Sequence, residues 1–131
     1  MKRRNFLTTI LVLTVLLAVG LACTGYGTKL EYNNGELYYT DKVTETDAKK
    51  LGDYLVKSGF FGGKKITVQL DKEGATYQFR MVVMPEKQND ETTLGLLKVF
   101  AGEISEEVFD GAPTELHVCD DGLKTLKVLK P

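Results

Sequence analysis

Residues 44–84 read TETDAKKLGDYLVKSGFFGGKKITVQLDKEGATYQFRMVVM, and a change of period inside them decides the fold. Up to Lys57 the apolar side chains recur at helical spacing; from Ile66 they alternate, as half-buried strands do. Thr44 stands where an N-cap accepts from the first free N–H groups, Asp47 completes a capping-box-like pattern, and Val43 and Ala48 form a hydrophobic staple. A helix is therefore predicted from Glu45 to Lys57. Ala48, Leu51 and Leu55 make its buried stripe, and Gly52 leaves room for a close neighbour. Gly59 is the left-handed residue that ends the helix, with Phe60 folding back on Leu55.

Ile66 to Leu70 and Ala75 to Met84 are predicted strands joined through Asp71-Lys72-Glu73-Gly74. Ile66, Val68 and Leu70 share a face with Tyr77, Phe79, Met81 and Val83, while Thr67, Gln69, Gln78 and Arg80 point the other way. Gly62-Gly63-Lys64-Lys65 is not a phosphate loop: it follows a helix, opens a strand, and has no Ser or Thr after its lysines.

Outward on the N-terminal side, Lys29 to Thr40 alternate around Asn34-Gly35, a type I′ hairpin signal that pairs Tyr32 with Leu37 and Leu30 with Tyr39. On the C-terminal side, Asn89 or Asp90 caps a second helix running to about Phe109. Leu94, Leu97, Ala101, Ile104 and Val108 form its buried stripe, Leu96 and Phe100 flank it, and Gly102 is a place where it can bend. A last hairpin is expected from Thr114 to Leu129 around Asp120-Asp121-Gly122, with a three-residue turn and glycine bulge setting Leu116 against Leu126. The expected class is α+β. A ferredoxin-like β-α-β-β-α-β core from Leu37 to Cys119 carries an extra hairpin strand at each end, with two helices on one face of an antiparallel sheet.

The first 23 residues fix where the domain works. Lys2, Arg3 and Arg4 precede an uncharged run from Phe6 to Ala22, the layout of an export signal. At about 1.5 Å per helical residue that run reaches about 25 Å, short of a comfortable bilayer span, so a cleaved signal fits better than a retained anchor. Val19-Gly20-Leu21-Ala22-Cys23 resembles a bacterial lipobox, with Gly20 where Leu is usual, and the resemblance implies lipidation at Cys23. Residues 1–22 are thus expected as signal peptide or membrane anchor, 23–28 as a tether, and 29–131 as one domain. Taking Lys2, Arg3 and Arg4 from the 17 basic residues leaves 14 against 18 acidic ones, a formal charge of −4. That balance and the export signal exclude a nucleic-acid partner.

The mature chain offers little catalytic chemistry. His117 is the one histidine, and its expected neighbours do not complete a metal set or a triad. Cys119 shares its strand face, the geometry of a thiol beside a base, although such a pairing on a strand arises readily by chance. With only two cysteines there is no disulfide framework. Asp120-Asp121 and Glu106-Glu107 lack the ligand spacing of a calcium loop. No cofactor and no metal site are expected. The candidate binding face is the open side of the sheet: Tyr38, Gln69, Gln78, Arg80 and His117, together with Thr67 and Val82, with no predicted element covering it.

Leu37-Tyr38-Tyr39-Thr40, Leu51-Gly52-Asp53-Tyr54-Leu55-Val56 with Gly59-Phe60-Phe61, Thr67-Val68-Gln69-Leu70 and Tyr77-Gln78-Phe79-Arg80 resemble a family of small uncharacterised bacterial exported proteins. The passage from helix through Gly-Phe to strand also distantly resembles SPOR domains. That resemblance implies glycan binding on the sheet face of a ferredoxin-like fold. The expected function is a non-enzymatic, membrane-tethered domain of the cell envelope that binds a protein or a cell-wall polymer. A SPOR-like glycan binder is the second reading, and a small thiol enzyme using Cys119 and His117 the third.

Overall fold

The computed structural model describes residues 25–131, so the expected signal segment and Cys23 lie outside the described residues. Among the described residues eight helices and strands follow one another: β1 (Thr28–Tyr32), β2 (Gly35–Tyr39), α1 (Glu45–Lys57), β3 (Thr67–Glu73), β4 (Thr76–Val82), α2 (Glu91–Val108), β5 (Thr114–Cys119) and β6 (Thr125–Leu129). A short 3-10 turn, Pro85–Lys87, leads into α2. The molecule is α+β, with both helices on one face of a six-stranded mixed sheet.

The strands lie in chain order across the sheet. β2 and β3 are parallel, as are β4 and β5; the other three pairs are antiparallel. This departs from the expected antiparallel ferredoxin-like sheet, in which another strand separates the two that a helix connects. Here each helix returns the chain beside the strand it left, and bonds such as Glu36 N–H to the Ile66 carbonyl (2.8 Å) and Tyr77 N–H to that of Pro113 (2.8 Å) close the parallel pairs. Alternation of side chains marks a strand but not its neighbours, which is why the period left the order open.

The second crossover unit steps across the sheet in the same direction as the first, on strands that run the opposite way, and both helices cover the same face. The two crossovers therefore have opposite hands, and one of them takes the left-handed sense that is rare in βαβ units.

The core lies between helices and sheet. Ala48, Leu51 and Leu55 of α1 and Ala101 and Ile104 of α2 meet Leu37, Val68, Leu70, Phe79, Leu116 and Val118, all without exposed surface. Each buried leucine or phenylalanine contributes about 1.5–3 kcal/mol relative to an exposed one. Phe60 bridges the helices and the sheet, stacked on Phe100 and edge-on to Phe79. Thr44 caps α1 as expected, its hydroxyl accepting from Asp47 N–H at 3.1 Å, and Asp90 caps α2. Gly102 does not interrupt α2, and Leu96, expected to flank the buried stripe, is 66% exposed.

Both end hairpins differ in register from expectation. Tyr32 pairs with Gly35 and Leu30 with Leu37, so the two turn residues are Asn33 and Asn34, at φ 49° and 69°. Asparagine tolerates that left-handed region, and here both side chains also donate outward, to the Phe61 and Gly63 carbonyls. Gly35 sits instead in β2, where a Cβ would lie 2.3 Å from the Phe61 ring. In the last hairpin Leu116 pairs with Leu129, not Leu126, and Cys119 with Thr125 across a bulge. Residues 120–124 form a wider loop, held by the Asp120 carboxylate accepting from Gly122 N–H and Lys124 N–H.

Candidate functional site

On the sheet face away from the helices, the register lines up Lys29, Tyr38, Gln69, Arg80, His117 and Val128 in one row across all six strands. Four of the five expected binding-face residues stand in this row. The fifth, Gln78, is on the same face but nearer the sheet's far end, between Asp71 and Glu115, with its amide donating to Glu73 at 3.4 Å.

The face was expected to be uncovered, and at its centre it is not: Gln69 and His117 are buried. Two segments outside the strands cover them. On one side Tyr26, just ahead of β1, folds over the sheet: the Gln69 side chain donates to its carbonyl at 2.7 Å, and its ring meets Tyr38 edge-to-face at 5.6 Å. Gly27, at φ 106°, allows this turn, since a Cβ there would lie 2.2 Å from the Tyr39 carbonyl oxygen. Tyr26 to Thr28, expected within a free tether, thus belong to the packed fold.

On the other side the 120–124 loop folds inward and buries Leu123, which adopts the left-handed φ of 60° that is uncommon for a residue of its bulk. Arg80 holds it there. One guanidinium nitrogen donates to the Leu123 carbonyl; another donates to the Thr125 hydroxyl at 2.7 Å and lies 3.2 Å from His117 Nδ1. Arginine has no acceptor, so Nδ1 is the accepting nitrogen of His117, and Nε2–H is left to donate to Glu115 at 3.2 Å. Among the described residues Arg80 has no carboxylate within ion-pair distance, and its buried Nε lacks a partner. Its bonding holds a loop in place.

Between the two covering segments a groove of about 590 Å³ stays open. Tyr26 and Tyr38 wall one side and Asp121 and Leu123 the other, over a floor that includes Thr67 and Val82. Lys65 and Met84 complete its rim, and Met84 is 63% exposed. A second hollow of about 410 Å³ adjoins it past Glu36 and Lys65, against the β1–β2 turn. The cleft of about 670 Å³ on the helix side is lined mostly by charged side chains, including Asp53, Lys57, Glu103 and Glu107. Tyr26, Lys65, Met84 and Leu123 were missed from the sequence. Leu123 was the available signal, an apolar side chain within a run of turn residues.

Cys119 is fully buried and burial pushes its thiol up, against the pull of nearby Arg80. Its S–H is directed to the His117 backbone carbonyl at 3.5 Å, while the imidazole is engaged by Arg80, Thr125 and Glu115. The arrangement is that of a buried polar network and not of a thiol activated by its neighbouring base. Among the described residues no group of three or more His, Cys, Asp or Glu side chains is placed to hold a metal ion, and no helix is long and apolar enough to cross a membrane.

No curated protein and no solved structure matches the chain. A family model does, that of an N-terminal domain, over residues 29–130, from the second residue of β1 to beyond the end of β6. The chain belongs to the AF_1994_N family.

Proposed function

We propose that this protein is a membrane-tethered module of the cell envelope, facing the extracytoplasmic side, that binds a partner through the sheet face away from its helices. The observation that carries the reading is the position of the groove relative to the chain's entry. Tyr26, only three residues after Cys23, forms one wall of it and is fixed there by Gln69 and Tyr38. The signal-like segment Met1 to Ala22 and a lipidated Cys23 would anchor the chain at the groove's edge. The partner then lies at the membrane surface. We read no catalytic role into His117 and Cys119: the imidazole is bonded to Arg80 and Thr125 beside the 120–124 loop, and the buried thiol is directed to the His117 carbonyl.

A cell-wall glycan is the second reading, favoured by the Tyr26–Tyr38 pair, since aromatic faces at a groove wall suit the apolar faces of sugar rings. The strand order differs from the ferredoxin-like arrangement of SPOR domains, so this reading rests on the groove's aromatic wall and not on topology. The test is recovery of complexes from cross-linked membranes and of protein sedimenting with purified sacculi, for Tyr38→Ala, Met84→Asp and Leu96→Ser. The groove reading expects the first two substitutions to abolish recovery and the third, on the helix side, to leave it intact. Loss only with Leu96→Ser contradicts it.

A further inference from the structure

We propose that the groove faces the bilayer and that its rim, Tyr26, Lys65 and Met84, seats in the phospholipid interface, which makes that interface the partner of this face. The inference rests on the anchor reading of Met1 to Cys23 and adds an orientation to it. The point where the chain leaves the fold is not free to choose a side. The Gly27 turn against Tyr39, the bond from Gln69 to the Tyr26 carbonyl and the Tyr26–Tyr38 ring contact all hold it on the face away from the helices.

Only Thr24 and Gly25 separate Cys23 from Tyr26, so three Cα–Cα steps, about 11 Å at full extension, are all that lies between an anchored Cys23 and the groove wall. The helices lie beyond the sheet, and each adds a layer about 10–12 Å thick, so their outer surface is out of reach of the same interface. The rim has the chemistry of an interfacial contact. Tyr26, 37% exposed, presents an apolar ring with a polar tip; Met84 presents a flexible thioether to solvent; Lys65 can lay its stem along the apolar surface and reach phosphate with its ammonium. Glu36 and Asp121 line the same groove, so its charges are mixed, as are those of a phosphate–ammonium headgroup.

The protein has no tryptophan, so single reporters can be introduced cleanly. The anchored full-length protein is reconstituted in vesicles of mixed phosphatidylethanolamine and phosphatidylglycerol carrying brominated acyl chains. Met84→Trp and Lys65→Trp report on the rim, and Val99→Trp on an exposed position of α2. The proposal expects both rim tryptophans to be quenched about twofold or more and to emit at shorter wavelength, with Val99→Trp unaffected, because only the rim is close to the hydrocarbon boundary. Protein that floats with the vesicles while both rim reporters stay unquenched overturns the lipid assignment and leaves the tethered module standing. Equal quenching at Val99 overturns the orientation. Protein that fails to float with the vesicles overturns the anchor reading and this inference with it.

Discussion

Arg80 shows how one side chain can hold a covering loop in place. Its planar fork reaches the Leu123 carbonyl, the Thr125 hydroxyl and His117 Nδ1 at once, a geometry that a lysine ammonium cannot reproduce. Arg80→Lys is expected to destabilise the domain by about 1–3 kcal/mol and to raise hydrogen exchange selectively at residues 120–125; unchanged exchange there would remove Arg80 from its holding role. Gly35 makes the opposite point, that an absent side chain can be required. The Phe61 ring occupies the place of its missing Cβ and is itself buried, so Gly35→Ala is expected to cost about 1–3 kcal/mol in a thermal melt. Tyr77 stacks on Phe109 and donates to Asp47 at 2.6 Å; burial, with that bond, pushes its phenol up to about 12. An unfolded tyrosine ionises near 10, so the stability it contributes is complete below that pH and is lost between about 10 and 12. Tyr77→Phe is expected to cost about 1 kcal/mol at neutral pH and to flatten the alkaline fall in denaturation midpoint. Tyr32 and Tyr54, shifted the same way, leave a residual slope.

At the scale of elements, the legible parts were those specified within a few residues of chain. Thr44 and Gly59 bound α1 where the capping pattern placed it, although the Asp47 carboxylate accepts from Tyr77 instead of closing the capping box, and the strand faces of β3 and β4 followed directly from alternation. Register was less legible, because several adjacent residues can take positive φ. Asn33-Asn34 and Asn34-Gly35 are both competent turns, and the choice was made far along the chain, by Phe61 filling the space over Gly35. The slip was by an even number of residues, so Leu30, Tyr32, Leu37 and Tyr39 kept their common face. In the last hairpin the Asp120 carboxylate and the buried Leu123 favour a wider loop over the tight glycine bulge. The candidate site was read in the same partial way. Alternation put Tyr38, Gln69, Arg80 and His117 on one face, but their coverage depends on Tyr26 and Leu123, whose contacts span tens of residues and leave no periodic trace.

At the scale of the molecule, two βαβ units and two end hairpins build a sheet with one face given to the core and the other to a groove at the chain's point of entry. The order of strands, the opposite hands of the crossovers and the closure of the groove are properties of the assembled sheet. The functional account depends on whether the chain is held at the membrane by Cys23. Intact mass of the protein extracted from membranes, for the wild type and Cys23→Ser, tests this most directly. The account predicts a wild-type chain that begins at Cys23 and carries a diacylglyceryl group, a modification absent from the variant. A soluble, unmodified chain beginning at Leu21 or Cys23 would contradict it.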